Sequence, residues 1–171
     1  PYPAELAHPL AGTDMQVRPI RPEDATRLAE MAALTHPEYM RKRFHGGVGF
    51  IASGMAVRLS QIDYDREMAL LAEEPDGRFA GVVRLVFDPD FETAEVAIIV
   101  RSDQQRRGLG KSLLLEALGY AGSRGARMVW GDVMSDNYET MSVARSLGAD
   151  IVISPYDPSL YRVRFSTPAP G

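Results

Sequence analysis

The sequence predicts an α/β (α+β) domain built on a mixed, mostly antiparallel sheet flanked by helices. Three observations carry that prediction. Apolar residues recur at helical spacing up to about Ile62, change to a strand-like period of two from Met68 to Val100, and return to helical spacing after Leu109. The alternating stretch is cut by two short turns into three successive strands, which makes an antiparallel meander. A glycine-rich connection then joins the last of these strands directly to a helix, as a strand–helix–strand unit requires. A length of 171 residues suits one domain with its own core.

Taken in order, residues 1–14 carry Pro1, Pro3, Pro9 and Gly12 before any periodic pattern, and read as a linker or strap. Met15 to Ile20 alternates like a short strand. Pro22-Glu-Asp24 opens a helix, with proline and acids in the first turn, whose expected buried stripe is Leu28, Met31, Ala32 and Leu34. Further helices are expected over Pro37–Phe44 and from Gly54 to about Ile62. Met68–Glu73, Phe79–Phe87 and Ala94–Val100 form the meander. Leu109, Leu113, Ala117 and Ala121 share one face of the next helix, which Gly122 and Gly125 stop. Met128–Val133 is a strand, Tyr138–Leu147 a helix stopped by Gly148, and Ile151–Ile153 and Tyr161–Phe165 a closing pair. The domain proper is expected over residues 15–166, with residues 167–171 a flexible tail.

Composition narrows the function classes. Nineteen Lys plus Arg against 23 Asp plus Glu leave a net charge of −4. Bulk binding to nucleic acid or an anionic membrane needs a basic excess that is missing. The absence of cysteine removes disulfides, thiolate metal sites and cysteine nucleophiles. His8, His36 and His45 have no metal-ligand spacing, so no metal is expected. No apolar run approaches the roughly 20 residues of a membrane span, and a cytoplasmic location is expected.

The most informative stretch is Gln105-Arg106-Arg107-Gly108-Leu109-Gly110, between strand and helix. A helix start offers unbonded N–H groups and the positive end of the helix dipole, which together suit a pyrophosphate. Glycine at 108 and 110 lets the backbone approach such a ligand without a Cβ in the way. A nucleotide P-loop would need glycine where Gln105 stands, although Gly110-Lys111-Ser112 matches its end. A dinucleotide fingerprint would need glycine where Leu113 stands. The pattern [QR]-x-x-G-x-[GA] fits instead, and it resembles the pyrophosphate loop of the GNAT superfamily of acyl-CoA N-acyltransferases.

That resemblance runs from about Gln16 to Phe165 and includes the element order. It implies acetyl-CoA as co-substrate, bound through Gln105, Arg106, Arg107, Gly108, Leu109, Gly110, Lys111 and Ser112. The segment Met134-Ser-Asp-Asn-Tyr-Glu-Thr-Met141 looks like the family's helix after the fifth strand. It implies that Asn137, with Met141 beside it, touches the pantetheine arm. Backbone N–H groups of Ile98, Ile99 and Val100 are implied as donors to the thioester oxygen. A narrower resemblance, carried by Arg18-Pro-Ile-Arg-Pro-Glu-Asp24, Ile62 to Leu71 and Gly81-Val-Val-Arg84, is to the acetyltransferase domain of bacterial Pat-type protein lysine acetyltransferases. In some of those proteins the domain follows an acyl-CoA-synthetase-like region. A chain that opens on Pro1 is then expected to be part of something longer.

The chemistry needs a base, because a lysine amine of pKa about 10.4 is protonated at pH 7. Glu95 is the candidate: it stands inside an apolar strand ten positions before Gln105, similar to the glutamate base of protein-acetylating relatives. Partial desolvation by Val96 and Ile98 is expected to make it more basic. Asp132 and Glu92 are the reserves. Many relatives carry a tyrosine acid seven residues after the asparagine, and here that position is Ala144, so no general acid is assigned. Direct acetyl transfer to a lysine of a protein, such as an AMP-forming acyl-CoA synthetase, is the expected function. Acetylation of a small amine, and a non-catalytic acyl-CoA-binding module, stay open.

Overall fold

The computed structural model describes residues 2–33, 64–104 and 108–168. The helices expected over Pro37–Phe44 and Gly54–Ile62 lie outside the described residues, as do Gln105, Arg106 and Arg107. The elements are β1 (His8–Pro9), β2 (Gln16–Pro19), α1 (Ala25–Ala33), β3 (Glu67–Glu73), β4 (Phe79–Phe87) and β5 (Thr93–Val100). They continue with α2 (Leu109–Ser123), β6 (Met128–Met134), α3 (Tyr138–Ser146), β7 (Asp150–Ile153) and β8 (Leu160–Ser166). Eight strands form one sheet in the order β1-β2-β3-β4-β5-β6-β8-β7. Neighbours run antiparallel except β5 and β6, which are parallel because α2 carries the chain back to the same end.

Alternation along the strands builds two cores. Met68, Leu70, Val83, Leu85, Ile98, Val100, Val129 and Val163 face α2 and α3, which answer with Leu113, Ala117, Met141 and Ala144. The opposite face carries Ala69, Leu71, Val82 and Ile99, covered by Leu28 and Met31 of α1. The fully enclosed Leu71, Leu85 and Leu113 each contribute about 1.5–3 kcal/mol by leaving water.

Both ends of the chain join this frame. His8 and Pro9, read as part of a strap, extend the sheet by pairing with Val17 and Gln16. The Tyr2 hydroxyl donates to the Pro19 carbonyl at 2.7 Å. Beyond β8, the Thr167 N–H donates to the Arg127 carbonyl at 3.0 Å, so the sheet holds the chain one residue further than its last strand.

The helix expected at Pro22 begins as a 3-10 turn over Pro22–Asp24 that leads into α1. Asp24 is wholly buried there and accepts from the Arg21 N–H at 2.7 Å and from both terminal nitrogens of Arg18 at 2.9 and 2.8 Å. The acid that the sequence places for the helix dipole therefore also pins the helix start to β2.

Candidate active site

The parallel pair β5 and β6 is in register only over Thr93–Glu95 and Met128–Trp130. Beyond that point β6 follows β8, to which it is paired from Met128 to Met134, and the two central strands part. The Arg101 N–H donates to the Ala80 carbonyl at 2.8 Å, and the Arg127 N–H to the Glu92 carbonyl at 2.8 Å. Ladder hydrogen bonds alternate along a strand. The N–H groups of Val96, Ile98 and Val100 therefore point toward the β6 side and into the split, whereas Ile99 turns toward β4.

A cavity of about 340 Å³ fills this split, large enough for one arm of a cofactor. Ile98, Val133 and Val163 line it from the α2 and α3 face, and Ala97 and Asp132 from the other. Strand alternation puts the side chains of those two sets on opposite faces, so the cavity reaches into the plane of the sheet where β5 and β6 part. Gly131 lies at its narrow end, where a Cβ would stand 2.9 Å from the Val96 carbonyl oxygen.

One end of the cavity meets the start of α2, through Gly108, Gly110 and Lys111. Gly108 caps the helix at φ 83°, in the left-handed region that favours glycine, and no side chain caps the first turn. The N–H groups and the dipole at this end suit an anion, and the exposed Lys111 adds a cation. Ser112 turns its hydroxyl back to the Gly108 carbonyl at 3.1 Å, and Leu109 is buried in the core. Neither side chain lines the cavity.

Asn137 stands at the start of α3, where its Oδ1 accepts from the Thr140 N–H at 3.3 Å. Its Nδ2 is buried without a hydrogen-bond partner, a costly state for a donor, and one that a ligand carbonyl would relieve. Thr140, Ser142 and Val143 of α3 line the cavity, while Met141, 2% exposed, packs into the core. Ala144 is buried as well, and among the described residues no tyrosine lines the cavity.

Glu95 is the last β5 residue in register with β6, opposite Trp130, and is exposed on the face away from α2 and α3. Val96 and Ile98 do not shield it, because alternation puts their side chains on the other face; that part of the expectation is corrected. Its pKa is nonetheless raised, first by partial desolvation and then by the nearby charge of Asp132, against the lowering influence of Arg84 and Arg162. Of the reserve carboxylates, Asp132 lines the cavity, and Glu92 lies in the β4–β5 turn outside it. Gly131, Val133, Thr140, Val143 and Phe165 line the cavity without having been marked by the sequence, which shows them only as ordinary strand and helix residues.

The model of the acetyltransferase (GNAT) family matches residues 25–149. Acetyltransferase PA5475 of Pseudomonas aeruginosa is 25% identical over 140 residues, which is 80% of this chain and 75% of that protein. The structure of the GNAT domain of S. lividans PAT is 25% identical, with a TM-score of 0.87 over 97% of this chain and 99% of that one. RimL, a ribosomal L7/L12 alpha-N-protein acetyltransferase solved in complex with coenzyme A, shares the fold at 14% identity. Its TM-score is 0.77 over 94% of this chain and 98% of that one. With the family model covering most of the sequence, and the sheet parting beside an uncapped helix start, the chain belongs to the acetyltransferase (GNAT) family and is an N-acetyltransferase.

Proposed function

We propose that the protein moves an acetyl group from acetyl-CoA directly onto a lysine ε-amine of another protein, with Glu95 as the base. The acceptor is a metabolic enzyme of the cytoplasm, of which AMP-forming acyl-CoA synthetases are the first candidates. The observation that carries the reading is the position of Glu95, a carboxylate of raised pKa where β5 and β6 part. The Pat-type segments of the sequence, and the similarity to the GNAT domain of S. lividans PAT, support a protein acceptor.

The residues present suit acetyl-CoA. The start of α2 and Lys111 take the pyrophosphate, and the unpartnered Nδ2 of Asn137 donates to an amide carbonyl of the pantetheine arm. The Ile98 N–H faces the split, where the thioester carbonyl is held. The thioester enters along the cavity from the start of α2, and the amine approaches from the face of Glu95. Freeing the amine of its proton at pH 7 costs about 4–5 kcal/mol, and a base of raised pKa reduces that cost. The ammonium first loses one proton to solvent; the neutral amine nitrogen then bonds to the thioester carbon, its second proton goes to Glu95, and the carbon–sulfur bond breaks. The CoA thiolate that leaves takes a proton from water.

Incubation with labelled acetyl-CoA and either a synthetase or a panel of free amines tests the acceptor. Label is expected in the synthetase; label confined to free amines rejects a protein acceptor. Glu95→Gln is expected to keep acetyl-CoA affinity and lose turnover by about a hundredfold, within the range of acid–base catalysts.

A further inference from the structure

The face that carries Glu95 holds a second arrangement. Strand register puts Trp130 and Asp132 of β6 on this face, with Arg162 of β8 directly across from Asp132. Arg162 donates to both Asp132 carboxylate oxygens, from Nε at 2.9 Å and Nη2 at 3.0 Å. Its guanidinium also lies 4.0 Å from the centre of the Trp130 ring, with the Tyr156 ring 5.6 Å away. Two parallel hydrogen bonds and a cation–π contact leave this side chain little freedom.

The strand order gives the pair a direction. β6 lies next to β5 and β8 lies one strand further out. The ion pair therefore runs outward from the split, with its acid rooted on the strand next to that of Glu95 and its arginine on the strand beyond. We propose that Asp132 and Arg162 are positioning residues for the base: Arg162 fixes the Asp132 carboxylate at the split, and that fixed negative charge makes Glu95 a stronger proton acceptor. The proposal rests on Glu95 being the base. Among the described residues, the other charges facing Glu95 are Arg84 of β4, tied to Glu67 of β3 at 3.1 Å, and Arg164 of β8, tied to Asp150 of β7. Each is paired with an acid, as Asp132 is with Arg162, but Asp132 is the acid on the strand next to β5, so it and Glu95 present like charges to each other.

The two partners then act in opposite directions. Asp132→Asn removes the negative end and is expected to move the acid limb of the kcat/KM–pH profile to lower pH by roughly half a unit. Arg162→Met removes the positive end and moves that limb to higher pH, since Glu95 loses a cation as well; Arg162→Lys restores most of the original position. A direct titration of the Glu95 carboxyl by NMR should show the same order of midpoints, which separates this effect from altered folding or substrate binding. Limbs and midpoints that stay together across the three variants, or move in the same direction, overturn the proposal while leaving Glu95 as the base. Full activity in Glu95→Gln instead overturns the underlying assignment of the base.

Discussion

The carbonyl oxygen of Val96 on β5 lies 2.9 Å from the point where a Cβ on Gly131 of β6 would stand. The two strands touch here just before they part, so the bare glycine backbone sets how the split begins. Gly131→Ala is expected to push the strands apart and cost about 1–3 kcal/mol of stability. Turnover should fall more than acetyl-CoA affinity, because the disturbance lies beside Glu95 and far from the start of α2. Gly119→Ala, in α2 with open space where its Cβ would go, is the control and should be neutral or stabilising in a thermal melt.

Asn137 has two separable duties. Its Oδ1 caps α3 through the Thr140 N–H, while its Nδ2 is buried without a partner. Asn137→Asp keeps the acceptor and loses the donor, so the cap should survive while the KM for acetyl-CoA rises about tenfold, the worth of one buried hydrogen bond. Asn137→Ala should lose both, adding about 1 kcal/mol of destabilisation measured in denaturant.

Asp24 makes the fold sensitive to acid. Burial alone would raise its pKa, but hydrogen bonds from Arg18 and the Arg21 N–H, with the charges of Arg18 and Arg27, outweigh burial and hold it below the ordinary carboxylate range. Its contribution is therefore complete above the unfolded-state pKa of about 4 and is lost as pH falls through the lower folded value. Asp24→Asn takes from the buried Arg18 its nearer carboxylate and leaves it Glu73 at 3.3 Å, and should cost about 2–3 kcal/mol at pH 7. The difference from the parent should shrink below pH 4, as followed by urea unfolding across pH.

His8 reports on the docking of β1 against α2. A hydrogen bond to Glu116 at 2.9 Å and another to the Leu6 carbonyl raise its pKa. A raised histidine stabilises fully below its unfolded pKa of about 6.5, and that gain disappears as pH rises through the folded value. The side chain is 44% exposed, so solvent screens the pair and the effect stays under about 1 kcal/mol. His8→Ala should lower the melting temperature at pH 5.5 and leave it nearly unchanged at pH 8.5.

Local patterns made much of the fold legible before any coordinates. The switch from helical spacing to short apolar runs cut by turns marked the meander from Glu67 to Val100, because strands covered on both faces are apolar almost throughout. The glycine-rich turn marked the start of α2, because Gly108 adopts φ 83° there, a conformation other residues reach only under strain. The cavity lining was legible only in part. Gly110 and Lys111 were marked by their place in or beside that turn and Ile98 by the family resemblance, whereas Val133, Val143, Val163 and Phe165 look like any core residues in the chain.

By itself, then, the sequence determined most of the described strands and helices from Gln16 onward, where the glycine-rich turn before α2 falls, and which strand carries the carboxylate Glu95. These are properties of spacing and residue type within a few turns of chain. The tertiary structure decided where β5 and β6 part, which face Glu95 occupies, and that Arg162 reaches Asp132, thirty residues away, on that same face. Those relationships depend on the pairing of β6 with β8 and on the register between strands distant in sequence, and no local pattern carries either.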